Sequence, residues 1–244
     1  MYQSLGYDVK STAFLNAVHV LQAYQIYQRK IGYENNEVNE YLNHQKKYIQ
    51  SDFACGIKDC TRAEIERSIQ GDFKALFENR HSIRQFSDKP VDIDLVKKAA
   101  RLAMKAPSAC NRQSAKVYYF KEPEKNQKLG KVINGNTGFE AEVKNYLVIT
   151  SDINCYTSSY ERNQPYVDGS LYAMSLMLCL EYYGIASCAL QNSEARPLDK
   201  AIRRITGIPK NEVIVLFIAI GNYKDEFTVA VSKRKNLEDV LIIE

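Results

Sequence analysis

The sequence predicts a layered protein of helices and strands, and three observations predict it. Short apolar runs at 116–120, 146–151 and 213–220 read as strands. Amphipathic or apolar stretches of helical length separate them. Glycine and proline punctuate the junctions, as at Gly184, Pro197 and Gly207. The 244-residue length suits one domain of ordinary size with an appendage.

The elements follow in order. Residues 1–75 read as a mostly helical extension, with little strand character and no proline. Ser11 is positioned to cap a helix in which Phe14, Val18 and Leu21 share a face. A second, polar helix is expected from Asn35 to Gln50. The main domain is expected over 76–244. Asp92 to Lys105 reads as a helix, with Asp92 as N-cap and Leu95, Val96, Ala99, Ala100 and Ala103 on the buried side. Lys116 to Phe120 and Tyr146 to Ser151 read as strands. Gly169 to Tyr183 reads as a helix apolar all round, closed by Gly184. Its uncharged run, Gly169 to Leu180, is too short to span a bilayer, which takes about 20 residues. Ser187 to Leu190 reads as a short strand, Pro197 to Thr206 as a helix and Val213 to Ile220 as a buried strand.

Composition limits the function classes. With 33 basic and 29 acidic residues, the net charge of +4 is too weak to argue for nucleic acid. Met1 to Lys10 is polar and lacks the apolar core of a secretory signal. The six cysteines form no disulfide framework, so reduced thiols in a cytoplasm are expected. Cys55 and Cys60, with His44 nearby, make an incomplete metal-ligand set, and no metal is expected. No Gly-x-Gly-x-x-Gly is present, Gly130-Lys131 lacks the Ser or Thr of a Walker loop, and no Gly-x-Ser-x-Gly elbow occurs.

Two segments carry chemistry. In Arg80-His81-Ser82-Ile83-Arg84-Gln85-Phe86, two arginines flank a hydroxyl at alternate spacing. An extended backbone points Arg80, Ser82 and Arg84 to one side. Guanidinium forks there suit a phosphate and an electron-rich ring, although a solvated basic strand shows the same pattern. In Ala106-Pro107-Ser108-Ala109-Cys110-Asn111-Arg112-Gln113, turn formers join the Asp92–Lys105 helix to a strand.

Together, with the helix between them, these segments resemble the nitroreductase family. Its members open their domain with Arg-x-Ser-x-Arg-x-Phe, followed by a helix and a Pro-Ser-x-x-Asn-x-Gln turn; Arg80 to Phe86 and Pro107 to Gln113 match both. Tyr166-Val-Asp-Gly-Ser170 opening an apolar helix, and the Ile220-Gly-Asn-Tyr223 and Ser232-Lys-Arg-Lys235 segments, are similar to later family features. The resemblance covers about residues 77 to 244. It implies an α+β fold, a mostly antiparallel sheet flanked by helices, in a domain-intertwined homodimer. It also implies bound FMN, with NAD(P)H as transient electron donor.

Carried over by residue, Arg80 and Arg234 would hold the FMN phosphate, with Ser232 in the family's lysine place. His81 and Ser82 would contact the ribityl or phosphate region, and Arg84 the pyrimidine edge of the ring. Pro107, Ser108, Ala109 and Asn111 would reach the FMN of the other subunit. The loop Ala189-Leu190-Gln191-Asn192 would face the reactive ring; it departs from the Pro-x-Glu-Gly of many relatives. Asn134 and Asn136 are candidates for a ribityl contact. No side chain is expected as a catalytic acid or base. The implied activity is reduction of an electron-poor acceptor, such as a nitroaromatic or quinone, by a ping-pong hydride transfer through flavin N5. Two alternatives stay open: a specialised flavin oxidase or dehydrogenase acting on a peptide, natural product or sugar intermediate, and an FMN-binding protein without turnover.

Overall fold

The computed structural model describes residues 9, 12–49, 56–68, 71–192 and 196–244. Ser11 and Cys55 lie outside them. The chain divides into two compact units, Met1–Lys58 with Val229–Glu244, and Asp59–Thr228.

The first unit is built on α1 (Thr12–Lys30) and α2 (Asn36–His44). Phe14 and Val18 of α1 are buried against Leu42 of α2, with Leu21 packed alongside. Phe14 meets the Tyr48 ring edge-on at 5.2 Å. Asn35 caps α2, accepting from the Val38 N–H at 3.2 Å. The predicted helix to Gln50 stops at His44, and a 3-10 turn takes Lys46–Tyr48. β1 (Gly56–Thr61) was not expected in this region; it pairs with β6 (Glu226–Val231) in a two-stranded sheet. Strand and partner are about 165 residues apart in sequence, so pairing and not local pattern makes it a strand.

In the second unit α3 (Arg62–Ser68) and α4 (Phe73–Asn79) precede α5 (Ile93–Ala103). There follow β2 (Ala115–Tyr119), α6 (Pro123–Gly130), β3 (Asn145–Asp152), α7 (Gln164–Tyr182), β4 (Ile185–Gln191), α8 (Arg196–Thr206) and β5 (Glu212–Asn222). The sheet order is β2-β3-β5-β4, and every neighbouring pair is antiparallel. This is the expected α+β architecture.

The central strands β3 and β5 are covered on both faces, which explains their near-continuous apolar runs. Leu147 and Ile149 point to α7; Tyr146 lies against Gly130 of α6, on the other face. Asp92 caps α5 through the Asp94 N–H at 2.8 Å, as predicted. α5 in turn packs on α7. α7 begins at Gln164, five residues before the predicted start, with Pro165 in its first turn. Gly169 marks its crossing over β5: a Cβ there would lie 2.5 Å from Val215 Cγ2. Gly184, at φ +72°, ends the helix in the left-handed conformation that glycine adopts without strain. Among the described residues no helix is long and apolar enough to cross a membrane.

Candidate functional site

The Arg80–Phe86 segment is tied down from several sides. Arg80 caps α4, its N–H bonding Leu76 O at 3.1 Å. The Ile83 N–H donates to Ser187 O of β4 at 2.9 Å. Gln85 Oε1 accepts from the Thr228 N–H at 2.8 Å. The Phe86 N–H donates to Glu142 Oε2 at 3.0 Å, and Phe86 bridges to Tyr223. Ile83 and Phe86 are buried; Arg80, His81 and Ser82 are half-buried and Arg84 is exposed. Alternation therefore holds from Ser82 to Arg84 and slips before Phe86. A segment with one isolated bridge is free of the strict period of a full strand.

Phe86 lies directly on Gly221, where a Cβ would approach its ring to 2.5 Å. Gly221→Ala is expected to destabilise the fold by about 1–3 kcal/mol, the usual cost of overpacking. An unchanged thermal unfolding midpoint would show that Phe86 is not locked there.

The Ile83–Ser187 bond sets this segment beside β4, where Ser82 bonds the Cys188 thiol and the Arg84 and Arg80 charges act on it. Burial pushes this thiol up, while the Arg84 charge, a Ser82 hydrogen bond and the Arg80 charge pull against it. The Arg84 guanidinium also stands 6.0 Å from the Phe139 ring centroid. The predicted loop at 189–192 is mostly strand: Ala189, Leu190 and Gln191 pair with Ile218, Phe217 and Leu216. The antiparallel register with β5 extends the strand beyond its local pattern. Asn192 follows, its Nδ2 donating to Ile214 O at 2.7 Å. Its Oδ1 is buried without a hydrogen bond among the described residues.

The turn at 107–113 is held in an uncommon conformation. Cys110, Asn111 and Gln113 have φ of 51°, 54° and 49°, the left-handed region that costs a non-glycine residue about 1 kcal/mol or more. Ser108 Oγ accepts from the Gln113 N–H at 3.0 Å, and the Ala109 N–H donates to Asp168. Asp168, 2% exposed in α7, also accepts from Tyr156 Oη and Gln164 Nε2, each at 2.8 Å. Pro107, Ser108 and Gln113 face a cavity of about 690 Å³ between α5 and β2. Asp168→Ala leaves the half-buried Ala109 N–H without its acceptor, at a cost of roughly 1–3 kcal/mol, whereas Tyr156 Oη keeps its bond to Ser114 Oγ. Chemical denaturation should register that loss; full stability would remove Asp168 as the anchor of the turn.

Asp168 and Glu181 lie 13 residues apart on α7, about 20 Å at 1.5 Å per residue. The structure thus places the 107–111 turn and the Arg80–Arg84 cluster toward opposite ends of one helix and does not bring them together within one chain. Ser232 and Arg234 follow β6 as exposed residues of the other unit. Asn136 is buried, with Nδ2 donating to Gly130 O and Tyr146 Oη, and so serves the fold. Asn134 is exposed.

Residues 77–152 match the model of the nitroreductase family. The chain is 28% identical over 148 residues to a protein of Archaeoglobus fulgidus provisionally named NADH dehydrogenase/NAD(P)H nitroreductase, covering 60% of this chain and 83% of that protein. It is 24% identical over 194 residues to the iodotyrosine deiodinase of Drosophila melanogaster, covering 68% of each. The structure of an FMN-dependent nitroreductase from Clostridium difficile R20291 is similar in fold, with a TM-score of 0.58 at 22% identity, over 69% of this chain and 96% of that one.

In α7, beyond the matched stretch, Asp168 and Glu181 are the polar anchors that the motifs do not include. Their signal was in the sequence: a lone carboxylate inside an apolar helix needs buried partners.

Proposed function

We propose that this chain is an FMN-dependent oxidoreductase that uses NAD(P)H to reduce an electron-poor acceptor such as a nitroaromatic or quinone, working as a homodimer. The observation that carries this reading is the Ile83–Ser187 bond, which sets the Arg80, Ser82 and Arg84 segment beside β4. This donor set fits FMN. The Arg80 guanidinium suits its phosphate. Ser82 and His81 suit the ribityl chain, and Arg84 suits the electron-rich pyrimidine edge. Ala189, Leu190, Gln191 and Asn192 border the ring, and Asn192 Oδ1, without a hydrogen bond among the described residues, supplies an acceptor there. FMN, when bound, accepts and returns hydride equivalents, and the protein's part is binding, orientation and charge. No side chain need act as acid or base; Arg84 favours the anionic reduced state through its charge.

The roughly 20 Å along α7 between Asp168, which holds one motif, and Glu181, beside the other, favours a dimer. Tyr166, Val167, Ser170, Leu171 and Met174 line an open groove along α7. Met174 lies about midway between Asp168 and Glu181. A second copy crossing there antiparallel would set its Pro107, Ser108, Ala109 and Asn111 beside the first copy's Arg80 and Arg84, as two-fold symmetry permits. The exposed tail residues Val240, Leu241, Ile242 and Ile243 support an intertwined arrangement.

The test is an anaerobic titration of the FMN-loaded protein with NADH or NADPH. The yellow absorbance should bleach and return on adding a quinone. A protein that binds FMN but is bleached by neither nucleotide would overturn the reductase reading.

A further inference from the structure

Glu181 sits in the last turn of α7 with 0% of its surface exposed. A carboxylate there is costly unless charge and hydrogen bonds compensate. Compensation is partial. Oε2 accepts from Tyr223 Oη at 2.6 Å, while Oε1 is buried without a hydrogen bond among the described residues. The cation acting on it is Arg80. α4 packs on α7, and the Phe86–Tyr223 bridge sets the arginine segment beside Tyr223. The neighbouring titratable groups are Tyr223, which follows β5, Cys60 of β1 acting on Tyr223, and Cys188 of β4, on which the Arg80 charge also acts. No charged group of α5, β2 or β3 acts on Glu181 among the described residues.

We propose that Glu181 is a positioning residue that couples the phosphate site to a proton: a phosphate monoester docking on Arg80 makes Glu181 take up a proton from solvent. This rests on the FMN reading above. Ionised Glu181 is stabilised by the Arg80 charge. A phosphate dianion on the same guanidinium competes for that charge and adds a second negative charge nearby, so the neutral acid is favoured. The incoming proton has a place on Oε1, and the Tyr223 bond to Oε2 is kept. Burial already pushes this carboxyl up to about 7, against the pull of Tyr223 and Arg80, so the exchange falls near neutrality.

The experiment is calorimetric titration of the flavin-free protein with FMN above pH 7, in two buffers of different ionisation heat. The parent should take up more protons than Glu181→Gln. Its FMN affinity should fall as pH rises, by at most about tenfold per unit. Glu181→Gln should be flat over the same range, and riboflavin, which lacks the phosphate, should take up no proton with either protein. Tyr223→Phe withdraws a bond to the ionised form and should move the parent's midpoint to higher pH; this arm stands if Glu181→Gln fails to fold. Equal proton counts for parent and Glu181→Gln, uptake with riboflavin, or an unmoved midpoint in Tyr223→Phe would each overturn the inference with the FMN reading intact. A parent that binds no FMN would overturn both.

Discussion

Arg80→Ala should weaken FMN binding roughly 10- to 100-fold, corresponding to the loss of a charge-assisted contact worth about 1.5–3 kcal/mol. The reasoning is geometric. Arg80 is held at the end of α4 by its backbone bond to Leu76 O, and its segment is pinned at Ile83 and Phe86. Removing the side chain therefore removes a charge and a donor fork without releasing the backbone. Riboflavin binding should change little, because the contact at stake is to the phosphate. Arg80→Lys should recover part of the affinity, since the charge returns and the planar fork does not. Flavin fluorescence quenching measures all three. If Arg80→Ala binds FMN as tightly as the parent, the phosphate lies elsewhere.

Glu212→Ala should destabilise the fold by about 3 kcal/mol, at the lower end of the range for breaking a buried ion pair because the lysine is half exposed. Glu212 is 1% exposed at the start of β5. It accepts from Lys116 Nζ at 2.6 Å, Thr150 Oγ1 at 2.6 Å and Tyr118 Oη at 2.9 Å. These donors belong to β2 and β3, so one carboxylate ties three strands. Burial pushes its carboxyl up, but the bonds from Lys116, Thr150 and Tyr118 together outweigh it and hold the group below its ordinary value of 4.5. The sign follows from linkage. A depressed acid contributes stability that is present above its unfolded value and lost as pH falls through its folded value. The parent should therefore lose stability as pH drops below about 4.5, and Glu212→Gln should be flatter over that window. Urea denaturation at pH 7 and pH 4 reads both effects. Parent and Glu212→Ala of equal stability at pH 7 would discard the role.

The sequence was legible wherever local pattern and tertiary demand agreed. β3 and β5 appear within one or two residues of their predicted ends, because buried central strands need continuous apolar runs, and the edge strand β2 appears within one residue of its predicted ends. α5 appears with its predicted cap. Where the pattern was weak, elements went unread. α6 buries only Asn126 and Leu129 in a polar stretch that begins with Pro123. β1 buries only Cys60, and its partner β6 lies at the far end of the chain. The start of α7 was missed because Gln164 to Asp168 is polar and mixed; the helix gains there through the buried bonds of Asp168.

By itself the sequence determined the secondary elements of the core and the two motif segments, since periodicity, caps and side-chain chemistry are local properties. Only the tertiary structure decided that the motifs stand toward opposite ends of α7, that the 107–113 turn is left-handed, and that Glu181 lies behind Arg80. Those facts depend on which distant residues meet across the sheet, and pairing over long sequence separations leaves little trace in any one segment.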